Sequence, residues 1–366
     1  MSTDLPFDLT LTDEQAMTRD SVQRFVARHI APVARSADDQ AEAPADFFSL
    51  SAELGLALMP VPEGLGGAGQ PRDPMSGVLT AEDLGRGDIS LAIGAMSPVS
   101  VVNSLLDFGS DEQQALFLPR LVTGDFVAAG VALMEGQALF DPARLRCKAA
   151  RAGEGYCLSG EKRMVPFGVT AELLLVIADL EGEGPAAFVV ERGAAGMSAQ
   201  CQSYMGLRSL ELATVSFNNV EVEAINRLEN FDLERLLDLS RLGMAALAVG
   251  CCQAVLDYSI PFVKERQAFG EPIARRQSVA FMVANIGIEL EGMRLLVWKA
   301  ASLASQGKPF HREAYLARVL CAEKAMEIGT NGVQLFGGAG FIRDYPLEMW
   351  YRNLRAIGVF EGGVVV

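Results

Sequence analysis

Residues 334–363 read QLFGGAGFIRDYPLEMWYRNLRAIGVFEGG. The stretch joins a glycine pair, Gly337 and Gly338, to aromatics, mixed charge and one carboxylate, Glu361, in apolar company. Val359 and Phe360 precede that carboxylate, and Gly362 and Gly363 follow it without side chains. A packed site here leaves the carboxylate poorly hydrated, which makes it a stronger base. The competing reading is a solvated glutamate close to the end of the sequence. The glycines are not a Rossmann fingerprint, because the segment before them reads as helix and no strand-to-helix turn surrounds them. They either let a nucleotide approach the backbone or cap a helix.

Working outward, RQAFGEPIARRQ at 266–277 sets Arg266 and Phe269 three residues apart, where Gly270 and Pro272 end a helix. An arginine there can grip a pyrophosphate bidentately while the ring packs beside it, or it is a solvated cation at a helix end. Asp238 and Arg241 stand one helical turn apart and read either as part of a site or as an exposed pair. Val279, Met282, Val283, Ile286, Leu290, Met293, Val297 and Ala300 recur at helical spacing and predict a bundle helix. Residues 233–265, kinked at Pro261, and 313–335 supply others.

Before this bundle the period changes. Runs at 156–165, 173–179, 186–191 and 213–222, rich in β-branched and aromatic residues, predict strands separated by glycine turns. The second and third, joined by LEGEGP, read as a hairpin with a longer loop. Earlier still the chain is helical. Thr12 and Gln15 form a capping-box pattern ahead of Val22, Phe25, Val26 and Ile30, and Pro32 closes that helix. A Gly/Pro loop, PVPEGLGGAGQPRDP, separates a helix end at 54–58 from a helix resuming near Met75, and helices fit 89–108 and 111–121. The loop is a surface connection or a cover over a ligand. The expected order is a helical domain at 1–125, a β domain at 126–231 and a helical bundle at 232–366.

A net charge of −15 repels a phosphate backbone, so nucleic acid is not an expected partner. The longest weakly polar run, Leu242 to Leu256, is shorter than the roughly 20 residues a spanning helix needs and reads as a buried helix. The acidic start MSTDLPFDLTLTDEQ carries no visible export signal. Six scattered cysteines without CxxC spacing fit reduced core thiols of a cytoplasmic protein. Neither His29 nor His311 has a second His or Cys at ligand spacing, which argues against metal catalysis and against a Ser/His/Asp triad.

Together these residues resemble the acyl-CoA dehydrogenase family of flavoproteins, over nearly the whole length. FDLTLTDEQ, VPEGLGGAG, EDLGRGD, FGSDEQQALFLPRLVTGD, GYCLSGEK, MGLR, RQAFGEPI and QLFGGAGFIRDYPLE occur in the family's order. The resemblance implies a mainly α fold: an N-terminal helical domain, a middle β barrel and a C-terminal four-helix bundle. It implies an FAD-dependent dehydrogenase acting on an acyl-CoA, passing electrons to an electron-transfer flavoprotein, in a homo-oligomer or a hetero-oligomer with a paralogous chain. A carboxylate there removes the α-proton while the β-hydrogen leaves as hydride, giving a trans-2-enoyl thioester. Glu361 matches that base. Some members carry the base at the position of Ser240, which serine cannot replace. Gly362, Asp238 and Arg241 match substrate contacts. Arg266, Phe269, Gln277, Gln334, Gly337 and Gly338 match positions holding the ADP end of a neighbouring subunit's FAD.

The departures fall in the β domain. Met134 and Phe140 stand where hydroxyls usually bond the flavin; Met164 occupies a tryptophan position, and Pro166 replaces a threonine that contacts the flavin. Gly363 replaces the threonine after the base, and the sequence ends at Val366, where the family usually continues. The resemblance therefore also admits a non-catalytic or half-site subunit of a heteromeric dehydrogenase that lends ADP-side contacts to a partner.

Overall fold

A computed structural model describes residues 10–366. The start of the chain, on which the absence of an export signal was read, lies largely outside them. Thr12 caps α1 (Asp13–Phe25) through the expected capping box with Gln15, and a π-helical turn carries the chain on to Ile30. There follow α2 (Ala34–Gln40), α3 (Phe47–Ala52), α4 (Pro74–Gly87), α5 (Ile89–Phe108) and α6 (Asp111–Leu121). Asp73, Asp88 and Ser110 cap α4, α5 and α6, accepting backbone N–H groups of the first turn that otherwise lack partners.

The β unit is one curled seven-stranded sheet. Its strands are β1 (Ala129–Ala132), β2 (Lys148–Ala152), β3 (Gly155–Pro166), β4 (Leu173–Leu180), β5 (Gly184–Glu191), β6 (Met197–Cys201) and β7 (Leu212–Val222). The four expected strands are present. The sequence reading lacked β1, β2 and β6, whose alanines, glycine and charged or polar residues have little strand propensity and gain order by pairing along longer neighbours. The β4–β5 ladder runs on to Leu180 opposite Gly184, so the hairpin turn is tighter than the longer loop expected from LEGEGP.

The C-terminal unit is α7 (Leu233–Glu265), α8 (Gln277–Ser305), α9 (His311–Phe336) and α10 (Leu347–Ile357), with a small hairpin of β8 (Gln267–Ala268) and β9 (Glu271–Pro272) between α7 and α8. Helix α7 continues past Pro261 for one further turn. Ile286, Leu290, Met293, Val297 and Ala300 of α8 are buried, as their spacing predicts. Gly85 of α4 and Gly250 of α7 lie against each other's backbones, where a Cβ would collide, so the N-terminal unit and the bundle pack at close range. Helices α5 and α7 are long and apolar enough to cross a membrane, yet most of each is buried inside the protein. Of the six cysteines, all free, Cys147, Cys251, Cys252 and Cys321 are buried, while Cys157 is half-buried and Cys201 is exposed, against the expectation of core thiols throughout.

Candidate active site

After α10 the chain runs Val359–Val366 back into the protein, and residues 362–366 are buried. Several side chains anchor this tail, Arg72 at the Val366 carbonyl among them. The Gly362 amide donates to Ser240 Oγ at 3.0 Å, the Val365 amide donates to Ser100 Oγ at 2.9 Å, and Asn103 Nδ2 donates to the Val365 carbonyl at 2.9 Å. Gly362 adopts φ +79°, a conformation that favours glycine, and a Cβ there would press on Leu133 just beyond β1. The tail thus brings Glu361 to the seam between α7, α9 and β1.

Glu361 is not in purely apolar surroundings. Its side chain is 19% exposed, with Arg318 NH2 3.4 Å from Oε1 and Arg241 Nε 3.9 Å from Oε2. Asp238 and Arg241 are not an exposed pair either. The Asp238 side chain is only 3% exposed; its Oδ1 accepts from Arg241 NH1 at 3.3 Å, and its carboxylate meets His311 Nδ1 at 2.9 and 3.1 Å. Burial pushes the Asp238 carboxyl up, against the opposing pull of His311 and Arg241. Glu361, Gly362, Asp238 and Arg241, matched separately in the sequence, therefore form one polar cluster, joined by Arg318, His311 and Ser240. Sequence reasoning gave no role to Arg318 or to the hydroxyl of Ser240. Glu234 brings a third ligand-type atom near Asp238 and His311, but Arg241 already occupies Asp238.

The positions that the family likeness matches to flavin contacts fall on and after β1 and at the end of β3. The Arg163 amide donates to the Met134 carbonyl at 2.9 Å, and Gly130 lies flat against the Pro166 carbonyl, where a Cβ would collide. Met164, at φ +52°, sits in the register shift between Lys162 and Val165, a bulge that re-aims its side chain. Underneath, fully buried Lys162 donates to Glu135 Oε1 at 2.7 Å and to the Leu133 carbonyl at 3.0 Å, fixing the strand next to Gly362. Phe140 is half-buried against the core. The long Gly/Pro loop lines a cavity of about 290 Å³ with Pro60, Gln70, Arg72 and Asp73, together with Met96 and Val366, and Glu361 is not in its wall.

The residues matched in the sequence to an ADP-binding set stand elsewhere. Phe262 of α7 stacks on Phe336 of α9 with centroids 3.7 Å apart, so both helices end together, beside Arg266 and Gly337. Arg266, Gln277 and Gln334 are exposed and form no side-chain hydrogen bond or ion pair among the described residues; the Phe269 ring is 94% exposed, with Arg276 over it. Gly337 caps α9 at φ +56°, and a Cβ at Gly337 or Gly338 would meet nothing. An unpaired guanidinium, an open ring and unobstructed glycine backbone fit a pyrophosphate with an adjacent ring. Arg266 directly follows α7, 25 residues after Arg241 and about 37 Å farther along the axis, so this set stands well away from the Glu361 cluster.

Comparison with known proteins gives matches along most of the chain. Residues 12–125, 130–220 and 232–363 match the family profiles described as acyl-CoA dehydrogenase N-terminal, middle and C-terminal domains. An acyl-CoA dehydrogenase of Bacillus subtilis (strain 168) is 32% identical over 365 residues, 96% of this chain and 95% of that protein. The butyryl-CoA dehydrogenase structure from Megasphaera elsdenii superposes with a TM-score of 0.89 at 29% identity, covering 97% of this chain and 96% of that one. A chain solved in work on the electron transferring flavoprotein of Acidaminococcus fermentans gives a TM-score of 0.89 at 30% identity, with 97% and 96% coverage.

Proposed function

We propose, from the premise that this chain belongs to the acyl-CoA dehydrogenase family of FAD-dependent oxidoreductases, that Glu361 is the base in the α,β-dehydrogenation of an acyl-CoA thioester. The observation that carries this reading is the position of the Glu361 carboxylate, partly open to solvent, at the seam where Gly362 meets Leu133 and the cluster of Asp238 and Arg241. In the reaction the α C–H bond breaks and its proton passes to a Glu361 oxygen. The β C–H bond breaks in the opposite sense, and the α and β carbons become doubly bonded. Bound FAD supplies the acceptor for the hydride from the β carbon. Met134, Met164 and Pro166 hold the flavin ring through apolar contact and backbone groups. Arg266, Phe269, Gln277, Gln334, Gly337 and Gly338 would hold the ADP end of an FAD seated on another chain, a reading supported by their exposure and the lack of side-chain hydrogen bonds among the described residues.

Asp238 and Arg241 line the thioester's path. Arg241 Nε lacks a hydrogen-bond partner and is an unused donor beside the carboxylate, suited to an acceptor on the substrate. Gly362 lets the chain turn without a side chain crowding Leu133. The electrons then pass to an electron-transferring flavoprotein. Support for that partner is the likeness to the Acidaminococcus fermentans chain. The test is anaerobic titration of the flavin-loaded protein with short, long and branched acyl-CoAs. One of them bleaches the flavin in the wild type, and Glu361→Gln slows bleaching roughly 10²- to 10⁴-fold. Bleaching at the wild-type rate in Glu361→Gln overturns the assignment.

A second reading rests on the flavin side. Met134, Phe140 and Pro166 bring no hydroxyl, while the ADP-side residues are free for a ligand. The chain is then one half of a heteromeric dehydrogenase, lending ADP contacts to a paralogous partner. A purified chain that is colourless alone and yellow when co-expressed with such a partner favours this reading; a chain that is yellow alone removes it.

A further inference from the structure

Arg318 lies on α9 two turns beyond His311, on the same helix side as Ala314, Ala317, Cys321 and Ala325, all buried. Its side chain is 9% exposed. The NH2 group reaches the Phe360 carbonyl at 3.5 Å and Glu361 Oε1 at 3.4 Å, whereas Nε and NH1 have no partner. A guanidinium in apolar company with two idle donors is costly to keep. Both of its contacts go to the two residues that present the carboxylate. Glu361 is also the only carboxylate with which it forms an ion pair among the described residues.

The segment needs such an anchor. Glu361 has a long, rotatable side chain, and Gly362 and Gly363 after it have no side chains to fix the loop. Ser240 ties down the Gly362 amide from one direction, and Arg318 takes the Phe360 carbonyl and Oε1 from another. Oε2 faces Arg241. The two carboxylate oxygens are thus addressed by different helices: Oε1 by α9 and Oε2 by α7.

We propose that Arg318 is a positioning residue for Glu361: it pins the Phe360 carbonyl and Oε1, leaving Oε2 to meet the substrate's α C–H. The proposal rests on the reading of Glu361 as the base. Arg318 acts through Glu361 and does not contact the thioester.

The test uses Arg318→Met, which keeps the bulk and removes the charge, and Arg318→Lys, which keeps a cation. Proton removal is followed by the wash-out of α-deuterium from an acyl-CoA, and oxidation by steady-state kinetics. Arg318→Met lowers kcat and the wash-out rate by roughly 10²-fold, the cost of a misplaced reacting group, with KM unchanged. Arg318→Lys recovers much of the loss. The melting temperature of Arg318→Met holds or rises, because a buried, half-satisfied guanidinium has been removed. Three results overturn the proposal: wild-type rates in Arg318→Met; faster rates, meaning that the cation chiefly opposed proton uptake; or a loss matched by a fall in melting temperature and not rescued by lysine, meaning a structural role. Glu361→Gln separates the two claims. Persistent wash-out in that variant removes the base, whereas wash-out stopped by Glu361→Gln and untouched by Arg318→Met removes only the positioning role.

Discussion

The Gly362 amide donates to the Ser240 hydroxyl across 3.0 Å, with both residues fully enclosed. The residue after the carboxylate is therefore fastened to α7 by the side chain at the position where some family members carry their base. Serine there has a job of its own, which is to satisfy a buried amide at the turn that presents Glu361.

Ser240→Ala leaves that amide without a partner. A buried, unsatisfied N–H costs about 1–3 kcal/mol, so the unfolding free energy should fall by that amount. The α-proton wash-out rate should fall too, because the turn loosens. Urea unfolding followed by circular dichroism measures the first. A variant as stable as the wild type would mean that water replaces the hydroxyl.

The pair of Lys162 and Glu135 holds the strand next to Gly362 and is buried on both sides. Glu135 also accepts from the Arg146 and Cys147 amides. Burial pulls the Lys162 ammonium down, so the partner is what keeps a charge there. Lys162→Met abandons a buried carboxylate and should cost about 3–5 kcal/mol, while Lys162→Met with Glu135→Gln should recover part of that. Thermal unfolding of the two singles and the double closes the cycle. A double mutant whose loss equals the sum of the two single losses would show that the charges are not coupled.

How far the sequence could be read follows from where each signal lies. The cap at Thr12 and the apolar run of α5 are local, and those helices start where the residues say. Strands β1 and β2 are small or charged residues that become strands only beside β3 and β4, so no window of sequence marks them. Glu361 stood out through its neighbours and the family likeness, and Arg241 through the likeness, but the meeting of these charges did not, because Arg241 and Arg318 reach the carboxylate from two helices far away in sequence. One signal for Arg318 was present: a charged residue in phase with Ala314, Ala317, Cys321 and Ala325 on the buried side of a helix. Such a residue needs a partner, and the helix alone does not say which.

Asp88 caps α5, accepting the Leu91 amide at 2.9 Å, and also takes the Asn353 side-chain amide at 3.0 Å. Complete burial pushes its carboxyl up to about 6. A carboxyl raised on folding stabilises in its protonated form: the stabilisation is full below about pH 4 and is lost as the pH rises through about 6. Asp88→Ser retains a cap and removes the titration. Between pH 4 and 7, the wild type should lose roughly 3 kcal/mol of unfolding free energy relative to this variant. Urea titrations of both proteins across that range give the difference directly, and a flat difference would show that the carboxyl stays ionised in the fold.

Met134 tests whether the flavin side is worn down or rebuilt. Its backbone is fixed by the Arg163 amide, so a new side chain at 134 enters without moving the strand. Threonine suits extended backbone and returns the hydroxyl that the family likeness places here. One regained hydrogen bond is worth about 1 kcal/mol, so Met134→Thr should tighten FAD binding roughly fivefold in a fluorescence titration. Met134→Ala controls for lost volume, since either replacement removes the thioether's packing. If threonine binds FAD more tightly than both methionine and alanine, the hydroxyl is the missing contact and the site is an eroded version of an ordinary one. If threonine and alanine both weaken binding alike, the thioether is itself the contact. The pocket would then have been remade around Met134, Met164 and Pro166, and the half-site reading would lose the observation that motivates it.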